Sequence, residues 1–401
     1  MSSRAFILLA FASVGTLAAT TLKLTNNFAG QGFFDGFNFN ITDPANGVLD
    51  PNAGNINYVN SSTAMNGPVK LAFVNGAGNV ILRVDNTTND PNPGPYSEFG
   101  RNTVQIVSKD PINVNTLLVA SIAHIPFGCS VWPAFWTLDD ATRTDHGGEI
   151  DIIESINLQT QNQYSLHTRT GCTLSNSSSF PRTGVQTQTD NCDSAANGNA
   201  GCIVQEPAQN SVGASFAGGV YAMYWSNNGV QMWFFPKSSV PSDLASNTPD
   251  PSTWPTPGAS YPASTCDPTT FFSPQAIIFD IEVCGANYAG LDSIFHQTCP
   301  SVTHCQDLVR SASNYDNAYW EINYVKTFTG APAPVANSTF SSASVSASGG
   351  SSTGAPSTSS SNSSDSSSGN SSNAVTLEFV SRTTLYAMIG TILIGAIVLV
   401  M

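Results

Sequence analysis

Residues 148–154 read Gly148-Glu-Ile-Asp-Ile-Ile-Glu154, and this stretch decides how the chain is read. Ile150, Ile152 and Ile153 favour a strand, because β-branched side chains suit a pleated surface. Side chains alternate faces along a strand, so Glu149 and Asp151 share one face and Glu154 falls on the other. A β-bulge would insert one extra residue and return Glu154 to the side of the other two. Asp and Glu total only 27 of 401 residues, so three carboxylates within six positions call for a reason. The expected arrangement is three acids in a row along one face, with isoleucines in the core behind them.

Two carboxyl groups at a controlled separation are the equipment of glycoside hydrolysis. In the retaining version one attacks the sugar while the other protonates the leaving oxygen. A third acid between them tunes their protonation, because like charges at close range resist ionising together. The same spacing also suits a solvated acidic strand or a calcium loop, although calcium loops carry their carboxylates on Gly- and Asn-rich turns.

Working outward, both ends of the chain read as segments that are not fold. Arg4, the apolar run 5–12 and the small residues up to Ala19 form a secretory signal peptide over 1–19. Residues 385–401 are apolar and uncharged, preceded by a spacer with Glu378 and Arg382 and by the small residues Ser371, Ser372, Asn373 and Ala374. That order is expected of a GPI-attachment propeptide over 374–401; a transmembrane helix is the alternative, for which seventeen apolar residues are marginal. Residues 338–372 hold 19 serines and one charged residue, Asp365, so 331–373 reads as an O-glycosylated linker. Extended at ~3.3 Å per residue, it would reach on the order of 100 Å. These signals place the protein outside the cell, attached to membrane or wall through a lipid.

Eight cysteines in such a compartment imply disulfides. Cys299 and Cys305, which flank a short loop, are the preferred pair; a zinc site made by them with His296 and His304 is the alternative. Asn-X-Ser/Thr acceptors stand at Asn40, Asn60, Asn86, Asn176, Asn337, Asn362 and Asn370. Thirteen basic residues and a net charge of -14 argue against a nucleic-acid partner and are compatible with a neutral polysaccharide.

Between residues 20 and 330 the chain is rich in short β-type runs. Residues 70–74 and 80–84 flank Asn75-Gly-Ala-Gly-Asn79, and 221–225 and 230–235 flank Ser226-Asn-Asn-Gly229; both are hairpin signals. Residues 276–284 read as a buried strand, and Trp320, Ile322 and Tyr324 share a parity near the end. Many short strands separated by Gly, Pro and Asn turns suggest an all-β two-sheet sandwich or jelly roll.

The residues resemble one known family. Gly147-Gly-Glu-Ile-Asp-Ile-Ile-Glu154 is similar to the signature of glycoside hydrolase family 16 in its laminarinase-like branch, which has one more residue before the second Glu than the lichenase-like branch. Val131-Trp-Pro-Ala-Phe-Trp136, Ser165-Leu-His-Thr168 with Gly171-Cys172, residues 279–290 and Asn317-Ala-Tyr-Trp-Glu-Ile322 resemble further segments of secreted fungal endo-β-1,3(4)-glucanases. The resemblance covers roughly residues 21–328 and implies a catalytic domain over 20–330. Its fold would be a concanavalin A-like jelly roll with a concave cleft, cutting β-glucan as a monomer without metal or cofactor. It assigns Glu149 as nucleophile, Glu154 as general acid/base and Asp151 as the assisting carboxylate. Trp132 and Trp136 would stack on glucose rings and His167 would hydrogen-bond near the acids. One tryptophan is expected to face the core, which requires a bulge, since a spacing of four keeps both on one face of a regular strand.

Two departures stand out. Cys284-Gly-Ala-Asn-Tyr-Ala-Gly290 has Asn287 and Tyr288 where many relatives carry Asp and Trp, which puts a substrate contact there in doubt. Asp145-His146 replace an Asn and an uncharged residue, which bears on the pH response or on the subsite beyond the cleavage point. A wall transglycosylase is the runner-up reading, although those of this family resemble a shorter Glu-x-Asp-x-Glu form. A non-catalytic glucan-binding sandwich would be marked by loss of a catalytic Glu, and both are present.

Overall fold

The computed structural model describes residues 22–91 and 99–330. The segments expected to be signal peptide (1–19), linker (331–373) and propeptide (374–401), with Asn337, Asn362 and Asn370, lie outside the described residues. Among the described residues, no helix is long and apolar enough to cross a membrane.

The described chain forms eighteen strands: β1 Leu22–Phe28, β2 Phe37–Asn40, β3 Ile56–Tyr58, β4 Ala72–Val74, β5 Val80–Arg83, β6 Arg101–Thr103, β7 Gln105–Ser108, β8 Thr116–His124, β9 Val131–Asp139, β10 Glu149–Glu154, β11 Gln163–His167, β12 Val185–Gln186, β13 Cys202–Gln205, β14 Gly219–Ser226, β15 Gly229–Pro236, β16 Ala259–Pro262, β17 Gln275–Val283 and β18 Tyr319–Gly330. One large sheet runs β16-β15-β14-β8-β18-β5-β4, with β1 also on β18; the second runs β12-β13-β11-β10-β9-β17-β7-β2, and β3 and β6 form a separate parallel pair. The fold is an all-β jelly-roll sandwich of two antiparallel sheets.

Local chemistry explains the tight turns. In the β4–β5 hairpin the Asn75 side chain accepts from the backbone N–H groups of Ala77 and Asn79. Gly78 supplies the positive φ of 86°. Val74 then pairs with Val80, and Ser226 with Gly229 in the β14–β15 hairpin.

Alternation on β17 divides inside from cleft. Ile277, Phe279, Ile281 and Val283 join the core between the sheets, where Phe279 stacks on Phe135 at 4.3 Å and meets Trp320 edge-on at 5.3 Å. Ala276, Ile278, Asp280 and Glu282 occupy the other parity. Each large side chain in this core contributes roughly 1.5–3 kcal/mol of burial.

The shared parity read for Trp320, Ile322 and Tyr324 does not hold. The register of β18 against β8 shifts on both sides of Ile322, so Trp320, Ile322 and Val325 face the core. Tyr324 turns outward under the ammonium of Lys326. The preferred Cys299–Cys305 bridge is also corrected. The disulfides are Cys129–Cys299, Cys172–Cys266, Cys192–Cys202 and Cys284–Cys305. Cys299 and Cys305 each face a cysteine at an end of a cleft-sheet strand, Cys129 before β9 and Cys284 after β17, and so fasten the segment between them to that sheet. No zinc ligand set remains there: His296 instead contacts the carbonyls of Val302 and Thr303.

Candidate active site

The bulge in β10 is present. Against β9, Asp151 pairs with Trp136 and Ile153 with Phe135, leaving Ile152 as the extra residue. Against β11, Asp151 pairs with Ser165 and Glu154 with Gln163. Ile150, Ile152 and Ile153 are all buried in the core, so the extra residue is absorbed inward while Glu149, Asp151 and Glu154 line one cleft. The start of β10 is fixed by Gly148, at φ 84°, where a Cβ would lie 2.6 Å from the Phe271 carbonyl oxygen.

Register then builds the floor. Gln163, Glu154, Ala134, Asp280 and Gln105 form one row across β11, β10, β9, β17 and β7. Ala134 is small and stands between Trp132 and Trp136 along β9, so the cleft, about 660 Å³ in volume, is open where the two indoles flank it.

Glu154 and Asp151 are held by specific donors. Glu154 accepts from the Trp132 indole N–H at 3.0 Å and from the Gln163 amide at 2.6 Å. The Tyr288 hydroxyl donates to Gln163 at 3.2 Å, and its ring meets Trp132 edge-on. Asp151 accepts from the Ser165 hydroxyl at 2.6 Å and lies 3.3 Å from His167 Nε2. The same nitrogen is 4.0 Å from Glu149, while Nδ1 faces Asn199 Oδ1 at 3.0 Å. Asn199 stands in the loop closed by Cys192–Cys202, so that disulfide holds the partner that orients the imidazole.

Burial is the largest influence on both glutamates. Burial first and the Asp151 charge next raise Glu149 to about 8 and Glu154 to about 7. Burial works against the His167 imidazolium, but the hydrogen bond to Asp151 and the charges of Glu149, Asp151 and Glu154 prevail and raise it to about 10. Glu149, Glu154 and His167 thus each feel the charge of the others. Glu149, Asp151 and His167 place potential metal-ligand atoms within 4.8 Å of one another.

All six residues singled out from sequence, Glu149, Asp151, Glu154, Trp132, Trp136 and His167, line this cleft. The expectation that one tryptophan faces the core is corrected. β9 pairs with β17 in unbroken register, so Trp132 and Trp136 stay on the cleft face while Val131 and Phe135 go inward. Asp280, Asn199 and Gln163 were missed. Asp280 and Glu282 were detectable as two carboxylates at strand spacing in an otherwise apolar run; Asn199 carried no local signal. Tyr288 and Asn287 both line the cleft despite departing from Trp and Asp, and the Asn287 amide donates to the Pro51 carbonyl. Asp145 lines the cleft and its charge adds to those raising Glu149; His146 is exposed.

A jelly roll whose concave sheet presents paired carboxylates between indoles defines a carboxylate-dependent glycoside hydrolase. Comparison with known proteins specifies it further. The XgeA-like catalytic GH16 domain matches residues 45–328, and the chain belongs to glycoside hydrolase family 16. It is 33% identical to an endo-1,3(4)-beta-glucanase of Arthroderma benhamiae over 82% of this chain and 70% of that one. Laminarinase 16A of Phanerochaete chrysosporium, solved with beta-glucans in donor and acceptor sites, is 36% identical, with a TM-score of 0.69 over 77% of this chain and all (100%) of that one. An elongating family 16 beta-1,3-glucosyltransferase is 35% identical, with a TM-score of 0.67 over the same shares, 77% and 100%.

Proposed function

We propose that the protein is a retaining endo-β-glucanase that cleaves β-1,3-glucan or mixed β-1,3/1,4-glucan by double displacement. The observation that carries this is the bulge at Ile152, which aligns Glu149, Asp151 and Glu154 along a floor flanked by Trp132 and Trp136. In the state in which Glu149 is ionised beside His167 and Glu154 holds the proton, Glu149 attacks the anomeric carbon while Glu154 gives that proton to the departing glycosidic oxygen. A covalent glycosyl ester on Glu149 results. Glu154, now ionised, takes a proton from water, which displaces the ester and restores both groups with the anomeric configuration retained. Asp151, fixed by Ser165 and His167, lies between the two in sequence and raises both. The apolar faces of glucose rings suit the indoles.

Transfer to a sugar in place of water is the second reading, favoured by the likeness to the elongating glucosyltransferase. One experiment separates the two: mass analysis of products from laminarin and mixed-linkage glucan, with the anomer followed by NMR. Shortening products with the β-anomer first support hydrolysis, and lengthened products support transfer. The α-anomer first, or near wild-type rates in Glu149→Gln, would sink the assignment.

The same proposal includes extracellular action as a monomer, displayed through a lipid. Four disulfides support an oxidising compartment. Release from membranes by phosphatidylinositol-specific phospholipase C checks the anchor; recovery of residues 385–401 in the mature surface protein refutes it.

A further inference from the structure

A bulge breaks the ladder, and its leftover backbone groups need partners. Here one side chain supplies them. Asn162 is fully buried where the chain enters β11. Its amide donates to the Ile152 carbonyl at 3.0 Å, and its Oδ1 accepts from the Glu154 backbone N–H at 3.0 Å. Its own N–H donates to the hydroxyl of buried Ser211 at 2.9 Å, and its carbonyl accepts from Glu206 N–H at 2.9 Å. Asn162 therefore grips the bulge on both sides of Ile153 and is itself pinned to the segment before β14.

We propose that Asn162 is a positioning residue that holds the β10 bulge open and so keeps the Glu154 carboxyl on the catalytic face. The alternative pairing is a one-residue slip, which would send Glu154 toward the opposite face. A hydrophobic residue of similar size would leave both bulge groups unpartnered. Aspartate would still accept from Glu154 N–H but would set a carboxylate against the Ile152 carbonyl. Asn162 touches no substrate; it acts through Glu154. The inference rests on the reading of Glu154 as the acid.

The test compares kcat/KM on laminarin, whose leaving group needs a proton, with kcat/KM on an aryl β-glucoside bearing a dinitrophenolate leaving group, which does not. A displaced acid costs the first reaction selectively. Asn162→Ala is expected to lose on the order of 10²-fold on laminarin and less than about fivefold on the aryl glycoside. Azide should then speed turnover of the aryl glycoside, as it replaces base-assisted water. Equal losses on both substrates, or no loss on either, overturn the proposal, because a purely structural residue changes the amount of active enzyme and not the ratio. Glu154→Gln is run beside it. If Glu154→Gln itself shows no difference between the substrates, the acid assignment fails; if it does and Asn162→Ala does not, only the present inference fails. Should Asn162→Ala not fold, Ser211→Ala, which removes only the hydroxyl that pins Asn162, is expected to give a smaller bias of the same sign. An unbiased Ser211→Ala overturns the proposal equally.

Discussion

Replacing Trp132 by Phe separates two jobs that one indole performs. The ring flanks the floor of the cleft, while its N–H donates to Glu154 at 3.0 Å. Phe keeps an apolar face and deletes the donor. A hydrogen bond to a charged group is worth roughly 1.5–3 kcal/mol, and to a neutral one about 1 kcal/mol. The ionised form of Glu154 thus loses about 0.5–2 kcal/mol more than the protonated form, which is on the order of one pK unit. Burial already raises this carboxyl to about 7. Losing a donor that favours the anion raises it further, so the proton needed for catalysis persists to higher pH. The basic limb of kcat/KM against pH should move up by about one unit, alongside a fall at the optimum from poorer ring contact. Trp136→Phe is the control, because the Trp136 indole donates to Asp280 at 3.1 Å and not to Glu154; its basic limb should stay in place. A basic limb in Trp132→Phe that is unmoved or shifted downward would refute the reasoning, as would an equal shift in Trp136→Phe.

Asp280→Asn should flatten the dependence of stability on pH. Burial raises the Asp280 carboxyl from 3.8 to about 7, so between these values the native state holds a proton that the unfolded chain has released, and stability falls as pH rises. Each unit is worth ~1.4 kcal/mol, and Asn removes the titration while retaining an acceptor for Trp136. Melting curves should show the variant gaining on wild type at pH 8 and not at pH 4; parallel curves at both would contradict this. For the disulfides, non-reducing peptide mapping should recover Cys129–Cys299 and Cys284–Cys305 as separate linked peptides, and a Cys299–Cys305 peptide would contradict the fold. Removing Cys129–Cys299, which spans 170 residues, should lower stability by about 3–5 kcal/mol in a denaturant titration.

The chain itself determined the strand character of residues 149–154, the need for a bulge if Glu154 was to join Glu149 and Asp151, and both hairpins. Those features rest on neighbouring residues: side-chain alternation, β-branching, and Asn and Gly at turns. The buried strand over 276–284 was likewise legible from its composition. Tertiary structure decided the rest, because the deciding partners are far apart in sequence. Trp132 and Trp136 both face the cleft because β9 meets β17 in unbroken register. Tyr324 turns outward because β18 slips against β8, about 200 residues earlier in the chain. Cysteine pairing depends on which strand ends meet, which spacing alone does not encode. The same holds for protonation: Glu149 and Glu154 are raised by burial and by the Asp151 charge, and His167 by the carboxylates of β10 against the pull of burial, and these surroundings exist only once the sheets have closed.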